Sequence, residues 1–406
     1  MISSAHDSWT AARGDSVRVV TTPEGVEELR RVWTNLQRHP NSDIDFYSLI
    51  VNLRPGIIGP CVIVVSHDGQ ARTVLVGRME TGTEWVRIGY QTILKIPVRR
   101  VAFITGGYMG EESSSVAKML ISEILKLLPQ HKLDLAVLQN VRSDSLLLDI
   151  ARTKPGWLQR DRLGETSLHW RMKVPACMAD FYTQLRRNHR QHFKRLCRVL
   201  DRDFPGGIEI KTFQTEEEAL QFSRDAEKIA RLTYQRGLGA GFTDDMEHQK
   251  RLEFAARNGR FRGFILYVEN EPKAFWGGSL YQTTLHLAWT GYAPSFRQYE
   301  VGTVLFLKML EALGNSTVKE LDFGLGSAFY KERFGDSSWQ EESIYIYSTT
   351  ARGIILNVSR AAVGFTVRIT KAVLHRMKLT DRIKRRWRAA LTPHRVEAGK
   401  PAASNE

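Results

Sequence analysis

The strongest constraint on the fold is an order of predicted elements that occurs twice along the 406-residue chain. Each copy runs strand, two helices, three strands, helix, strand, helix and strand, as judged from hydrophobic periodicity and turn residues. The first copy begins near Val17 and the second at the strand 208–213. Hairpins combined with a strand–helix–strand crossover predict mixed sheets with helices on both faces. We therefore expect an α/β (α+β) protein with two tandem mixed sheets flanked by helices.

The repeat predicts a division of the chain into three parts. Residues 1–172 form the first half, residues 173–350 the second, and residues 351–406 a basic helical tail. Local signals agree with this reading: Asp68-Gly69 is a hairpin turn, and Thr215 with Glu218 is a helix capping box.

Positive charge is confined to two segments. The chain has 58 Lys and Arg against 44 Asp and Glu, a net charge of +14, of which residues 351–406 carry +10 and residues 185–202 carry +6. The rest of the chain is close to neutral, so the positive charge belongs to these two segments and is not spread over the two halves.

The first basic segment, 185–202, is predicted to be an amphipathic helix. Its apolar stripe is expected to hold Leu185, His189, His192, Leu196 and Val199, with the Lys and Arg residues outside it. The basic face is either a solvated surface or a platform for an anionic substrate, a phosphorylated lipid carrier or tRNA.

The second basic segment combines apolar residues over 354–367 with a basic run over 382–388 that contains Trp387. This pattern is typical of a helix that lies on an anionic membrane surface, and a solvated C-terminal helix is the alternative. The apolar stretch is too short to span a bilayer. We expect a cytoplasmic protein with peripheral contact at the inner membrane face.

Cysteine and histidine spacing predicts neither disulfides nor metal. Three cysteines without a CxxC pair fit free thiols in a reducing compartment, and no apolar secretory segment is apparent at the N-terminus. His189 and His192 lie three residues apart on the basic helix without an acidic or thiol partner at ligand spacing, so no metal site is expected.

The segment 289–303 is a strand, a polar loop and the start of a helix that contains Gly302. Backbone N–H groups at a helix N-terminus can bind phosphate, and glycine permits close approach. A single glycine also fits an ordinary strand-to-helix loop.

Three further motifs carry a family resemblance, namely those over 234–242, Tyr299-Glu-Val-Gly302-Thr303, and Asp322-Phe-Gly-Leu-Gly326 with Tyr330-Lys331. With these residues, the second half resembles a GNAT-fold acyltransferase of the CelD type, associated with cellulose and exopolysaccharide biosynthesis. The doubled arrangement is similar to that of FemAB-type transferases.

The resemblance implies acetyl-CoA or another acyl-CoA as co-substrate. Its pantetheine would lie between the strands 284–291 and 319–323, and its pyrophosphate on the loop before the helix. The implied cofactor-binding residues are Thr290, Tyr299, Val301, Gly302 and Thr303. Of the usual phosphate-loop pattern only Gly302 matches, because Tyr299 and Val304 replace the expected polar and small residues.

The resemblance also implies catalytic and substrate residues. Tyr330 takes the place of the general acid that protonates the departing thiolate, for which a phenol is suited. His286 and Asp322 are the candidate bases, although Asp322 is also placed to cap the glycine-rich turn. Substrate candidates are Tyr234, Gln235, Phe242 and Lys331; the glycines over 234–242 fit a helix C-cap equally well.

The expected function is transfer of an acyl group from acyl-CoA to an amine or hydroxyl of a sugar, cell-envelope or exopolysaccharide precursor. The partner is then a small-molecule or glycan-precursor acceptor. Two alternatives are a transferase that uses aminoacyl-tRNA, in which case nucleic acid is a partner, and a non-catalytic scaffold in a polysaccharide-synthesis complex.

Overall fold

The computed structural model describes residues 14–88, 91–233, 236, 241–314 and 316–376. The elements before residue 174 are, in chain order, β1 (Asp15–Val20), α1 (Pro23–Glu28), α2 (Arg30–Leu36), α3 (Ile44–Leu53), β2 (Ile57–His67), β3 (Gln70–Ile88), β4 (Gln91–Gly110), α4 (Ser114–Gln130), β5 (Leu135–Arg142), α5 (Leu146–Thr153) and β6 (Glu165–Lys173).

The elements after residue 173 follow the predicted order closely. They are α6 (Met178–Gln184), α7 (Arg187–Asp203), β7 (Ile208–Phe213), α8 (Glu216–Ala230), α9 (Met246–Arg257), β8 (Phe261–Val268), β9 (Glu271–Tyr281), β10 (Thr284–Tyr292), α10 (Val301–Gly314), β11 (Glu320–Leu325), α11 (Phe329–Phe334), β12 (Ser337–Tyr347) and α12 (Ala351–Arg376). Short 3-10 helices lie at Pro40–Ser42 and Pro294–Tyr299.

The chain forms two compact units that differ from the predicted halves. Unit 1 contains the described residues up to Met172 together with Asp322–Thr370, and unit 2 contains Lys173–Leu321 together with the described residues from Lys371 onward. The segment 322–350, which was assigned to the second half, belongs to unit 1.

Strand β12 explains this difference. The strands of unit 1 are ordered β1-β2-β3-β4-β5-β12-β6-β11, so β12 pairs with β5 on one edge and with β6 on the other. Both pairings are antiparallel, whereas β4 and β5 run parallel. The backbone hydrogen bonds of both β12 edges are thus satisfied within unit 1.

Helices cover both faces of the unit 1 sheet, as predicted. Side chains along a strand point alternately to opposite faces, so Ile63 and Val65 pack in one core cluster with α4 and α5. Val62 and Val64 pack in a second cluster with residues of α1, α2 and α3. Every strand residue from 61 to 65 is consequently buried.

The glycine-rich segment 106–110 is the last part of β4. Gly110 pairs with Thr73 of β3, and a Cβ atom on Gly110 would lie 2.1 Å from the carbonyl oxygen of Arg72. A Cβ atom on Gly106 would meet the His39 ring at 2.5 Å. Close backbone approach therefore accounts for these glycines.

The sheet of unit 2 is an antiparallel meander with the order β10-β9-β8-β7. One face is covered by α8 and α9, where the buried ring of Phe222 contacts four other phenylalanines, namely Phe213, Phe242, Phe261 and Phe275. On the other face Trp276 packs against Phe306 of α10. The predicted capping box at the start of α8 is confirmed.

Helix α7 is amphipathic with a basic outer face, but its buried stripe differs from the predicted one. Phe193, Leu196 and Leu200 are buried, whereas His189 is exposed and Val199 is half-buried. Phe193 takes the inward position because burial of its large apolar ring contributes more favourable free energy than burial of a histidine. The spacing 193, 196 and 200 then sets the rotation of the helix.

Helix α12 packs against unit 1 along its first four turns. Leu356 and Asn357 are buried, and the Asn357 amide donates to the carbonyl oxygens of Leu158 and Arg160 at 2.9 and 3.0 Å. The Arg360 guanidinium lies 3.9 Å from the Tyr345 ring centroid. The predicted basic run 382–388 lies outside the described residues. Across the described chain, no helix combines the length and apolarity that crossing a bilayer requires.

Candidate active site

Asp322 lies at the centre of a buried charged cluster in unit 1. Its Oδ1 atom accepts a hydrogen bond from the Gly324 backbone N–H at 2.8 Å. Gly324 and Gly326 have φ angles of +66° and +97°, which side-chain-bearing residues rarely adopt. Asp322 therefore caps the glycine-rich turn, which is the structural role considered from the sequence.

A histidine that the sequence did not single out bridges two carboxylates in this cluster. His169 Nε2 lies 2.6 Å from Asp322 Oδ1, and His169 Nδ1 lies 3.0 Å from Glu341 Oε1. All three side chains are buried. They come from the adjacent strands β6, β11 and β12, so the sheet order brings together residues that are far apart in sequence.

Two further side chains complete the cluster. The Trp339 ring lies opposite His169 in the β6–β12 register and stacks on the imidazole at 4.4 Å between centroids. Its Nε1–H donates to Glu341 Oε1 at 2.7 Å. Arg171 Nε donates to Asp322 Oδ2 at 3.2 Å. Each carboxylate is thereby matched to positively charged or N–H donor groups, as burial requires.

The two carboxylates keep His169 protonated. Burial alone lowers the pKa of His169, but hydrogen bonds to Asp322 and Glu341 outweigh it and raise the pKa to about 9. Because both ring nitrogens face carboxylate oxygens, the imidazolium has no nitrogen left to accept a proton from substrate. His169 is a positioning residue for the strands and for Asp322.

Lys331 and Tyr330 follow the glycine-rich turn on α11. The buried Lys331 Nζ donates to the carbonyl oxygens of Leu325 and Gly324 at 2.5 and 3.3 Å. Burial lowers the pKa of Lys331 to about 8, although Asp322 opposes this shift. Tyr330 is half-buried, with its ring edge against Phe323 at 6.1 Å. The structure thus brings Asp322, Tyr330 and Lys331 together around one turn, with Lys331 holding the turn's carbonyl groups.

The residues predicted to bind the cofactor lie in unit 2. Gly302 is in the first turn of α10, and its carbonyl accepts from Trp276 Nε1 at 3.3 Å. Val301 is fully buried, so neither its side chain nor its backbone is exposed to a ligand. The Tyr299 hydroxyl donates to Asp203 at 3.2 Å, which commits this side chain to α7.

A carboxylate already lies at the start of α10. Glu300 has a left-handed backbone conformation, with φ of 45°, and its carbonyl accepts from the Thr303 N–H at 2.7 Å. Glu300 Oε1 lies 2.9 Å from His192 Nε2, and Oε2 accepts from the Thr303 hydroxyl at 3.3 Å. Negative charge is stabilised at a helix N-terminus, where a donor phosphate would also be favoured.

His286 and Thr290 lie on β10 but face opposite sides of the sheet. A β-bulge between Leu287 and Trp289 adds one residue to the strand, so its side chains do not alternate regularly between the two faces. Thr290 pairs with Trp276 and faces α10, whereas His286 pairs with Ser279 and faces the side of α8 and α9. The structure therefore separates His286 from the start of α10.

The remaining substrate candidates are not assembled into a described pocket. Phe242 is buried in the aromatic core of unit 2, where its ring contacts Phe222, Phe275 and Trp289. Packing of this large ring accounts for its position. Tyr234 and Gln235 lie outside the described residues.

Sequence reasoning missed His169, Glu341, Trp339 and Glu300. The available signal was the alternating pattern of His169 with Arg171 and of Trp339 with Glu341, which is expected when polar side chains share one face of a strand. The strand 165–173 was not predicted, so these alternating residues were not aligned with one another. Glu300 belongs to the motif Tyr299-Glu-Val-Gly302-Thr303 but was not among the predicted binding residues.

A protein-family profile matches part of the second half of the chain. The profile described as acetyltransferase (GNAT) domain matches residues 186–332, which include α7, the start of α10, Asp322 and Tyr330. Residues 186–332 are therefore similar to a GNAT acetyltransferase domain. This domain supports the prediction of an acyltransferase, and the fold of mixed sheets with helices on both faces is confirmed.

Solved structures of low sequence identity resemble the chain. A tandem GNAT protein from the clavulanic acid biosynthesis pathway is 10% identical, with 83% of this chain and 100% of that chain covered and a TM-score of 0.48. The C-terminal domain of a putative lysylphosphatidylglycerol synthetase from Agrobacterium fabrum is 9% identical. The match covers 84% of this chain and 96% of that chain, with a TM-score of 0.47. FemX is 9% identical, with 70% of this chain and 87% of that chain covered and a TM-score of 0.44.

No protein with a curated description matches the chain significantly. Within the described ranges, no group of three or more His, Cys, Asp or Glu side chains is arranged to hold a metal ion.

We predict that replacing His169 by Gln lowers stability in a pH-dependent manner. The folded-state pKa of about 9 lies above the ordinary value of 6.5, so the stabilisation is complete below pH 6.5 and is lost as the pH rises through 9. At low pH the loss should be on the order of 3 kcal/mol. Urea unfolding of both proteins across this pH range measures it.

The control is His189→Gln, which changes an exposed histidine and should leave stability nearly constant. Lys331 titrates in both proteins, so its contribution cancels in the difference. A stability difference between wild type and His169→Gln that is the same at pH 6 and pH 9.5 would contradict the proposed ion bridge.

Proposed function

We propose that the chain transfers an acyl group from acyl-CoA to an amine or hydroxyl group of a sugar or cell-envelope precursor. The GNAT domain match over 186–332 is the observation that carries the proposal. The start of α10 supports acyl-CoA as donor, because a helix N-terminus after a strand suits a pyrophosphate. The acceptor class is proposed from the CelD-type resemblance of the second half.

The proposed chemistry is a direct displacement at the thioester carbonyl carbon. The acceptor nitrogen or oxygen forms a bond to this carbon and loses its proton to solvent water, the carbon–sulfur bond breaks, and the coenzyme A thiolate takes a proton. We assign the proton donor as Tyr330, whose phenol is regenerated from solvent. Asp322 is assigned no proton transfer, since its oxygens are hydrogen-bonded to His169, Arg171 and Gly324.

Glu300 sets a condition on how a donor can bind. Two phosphates at the start of α10 would share the helix N-terminus with the Glu300 carboxylate. Negative charges at neighbouring positions repel one another. A bound donor therefore competes with Glu300 for the same stabilisation from the helix. His192 Nε2 lies 2.9 Å from Glu300 Oε1, so it holds this carboxylate at the helix start.

The second candidate is an aminoacyl-tRNA donor, and the outer face of α7 favours it. Arg186, Arg187, Lys194, Arg195 and Arg198 are all exposed. A row of exposed cations could follow a phosphate backbone, and its binding would weaken steeply with salt. We rank this candidate below acyl-CoA because these side chains are equally explained as the solvated face of an amphipathic helix.

We predict that acetyl-CoA binding responds in opposite directions to two changes at the start of α10. Glu300→Gln removes a competing charge and should tighten binding about two- to fivefold. Gly302→Glu adds a carboxylate beside the phosphates and should abolish binding; its Cβ would meet the Tyr292 ring at 3.7 Å, an ordinary contact, so folding should be retained. Isothermal titration measures both affinities.

The matched control is Glu311→Gln, which removes a charge from the exposed far end of the same helix and should not change affinity. Failure of acetyl-CoA and longer acyl-CoA species to bind would overturn the donor assignment. Salt-sensitive tRNA binding that is lost on replacing Arg186 and Arg187 by Gln would establish the second candidate instead.

We further predict that Tyr330→Phe slows turnover without weakening donor binding. Loss of a general acid should lower kcat by roughly 10²- to 10⁴-fold and leave KM for acyl-CoA nearly unchanged. Steady-state kinetics with saturating acceptor provide the test. Tyr345→Phe, which retains the ring that contacts Arg360, is the control. Wild-type turnover in Tyr330→Phe would remove this residue from the mechanism.

A further inference from the structure

Helix α12 has one face packed on unit 1 and an opposite face that is apolar and uncovered. Ile355, Val358 and Phe365, here called the apolar stripe, are 59%, 58% and 66% exposed. They recur at spacings of three and seven residues, which place them on one side of the helix. Exposure of three large apolar side chains on one side of a helix is unfavourable in free energy in water, and it marks a binding surface.

The orientation of the stripe is fixed by contacts on the other side of the helix. Leu356 is buried, and the Asn357 side chain donates to two carbonyl groups of the loop that follows α5. Gly364 lies against Leu163 of the same loop, where any Cβ atom would clash. The helix therefore cannot rotate to bury the stripe without breaking these contacts.

The loop that Asn357 holds exposes a further aromatic residue. Trp157 is 69% exposed, and the Arg162 guanidinium lies 3.8 Å from its ring centroid. A tryptophan combined with arginine is suited to the interface between water and lipid headgroups, where the ring is partly buried and the charge stays near phosphate. This residue adjoins α12 through the Asn357 hydrogen bond to Leu158.

Charge identifies the surface that would cover the stripe. Helix α12 contains no Asp or Glu, and residues 377–406 carry eight Lys and Arg against three acids. An anionic bilayer attracts such a segment, whereas a second copy of the chain would bring two basic segments together. A nucleic acid would satisfy the charge but leave the apolar stripe in water.

We propose that the apolar stripe of α12 docks unit 1 onto an anionic membrane surface, with the basic residues that follow adding electrostatic attraction. The stripe enters the region below the headgroups while Arg and Lys side chains remain near the lipid phosphates. The helix lies along the surface, since one face is held by unit 1. This surface is independent of the acyl donor and of the proposed catalytic residues.

Vesicle flotation of the full-length protein tests the proposal. The protein should float with vesicles of phosphatidylcholine and phosphatidylglycerol, and only weakly with phosphatidylcholine alone. The double variant Val358→Ser, Phe365→Ser should reduce partitioning by about tenfold or more, because two apolar side chains no longer enter the lipid. Its thermal unfolding temperature should match that of wild type, since both positions are exposed.

Met246→Ser is the matched control, because this methionine is 70% exposed on α9 in unit 2. It should float as wild type does. Equal flotation of wild type and the double variant would overturn the proposal. So would a wild-type dimer that the double variant dissociates without any vesicle binding, since the stripe would then be covered by a second copy.

Discussion

Pairing of β12 on both of its edges is the constraint on which the rest of unit 1 depends. The strand begins at Ser337 and ends at Tyr347, and it lies between β5 and β6, which precede it by more than 160 residues in the chain. This pairing draws the segment 322–350 into unit 1. The glycine-rich turn, Tyr330 and Lys331 are consequently carried by the unit that the N-terminal part of the chain builds.

The same pairing creates the buried charged cluster. Strand β12 supplies Glu341 and Trp339, β6 supplies His169, and β11 supplies Asp322. A buried imidazolium between two carboxylates is tolerated because each charge has a partner, and removal of one partner leaves another charge unpaired. The cluster therefore fixes the position of Asp322, and Asp322 in turn fixes the turn that precedes Tyr330.

Local structure was largely predictable from sequence, because its causes are local. The capping box of Thr215 and Glu218 and the hairpin at Asp68-Gly69 each rest on residues within a few positions of one another. The strand 208–213 was predicted with the bounds that the structure has. The two-faced burial of the strand at 61–65 also follows from its continuous apolar run.

Long-range pairing was not predictable in the same way. His169 meets Asp322 and Glu341 only because three strands are adjacent, and the sequence does not specify that adjacency. The bulge between Leu287 and Trp289 similarly reversed the face of Thr290 relative to His286. The family resemblance located the acyltransferase domain but did not reveal that Glu300 occupies the helix start where a phosphate was expected.

The proposed function depends on binding of an acyl-CoA donor at the start of α10. Hydrogen–deuterium exchange of the full-length protein with and without acetyl-CoA tests it most directly, because phosphate oxygens would accept from the backbone N–H groups there. We expect slower exchange at the amide of Gly302, in the first turn of α10, when acetyl-CoA is present. Unchanged exchange at the Gly302 amide at saturating acetyl-CoA would contradict donor binding at this helix start.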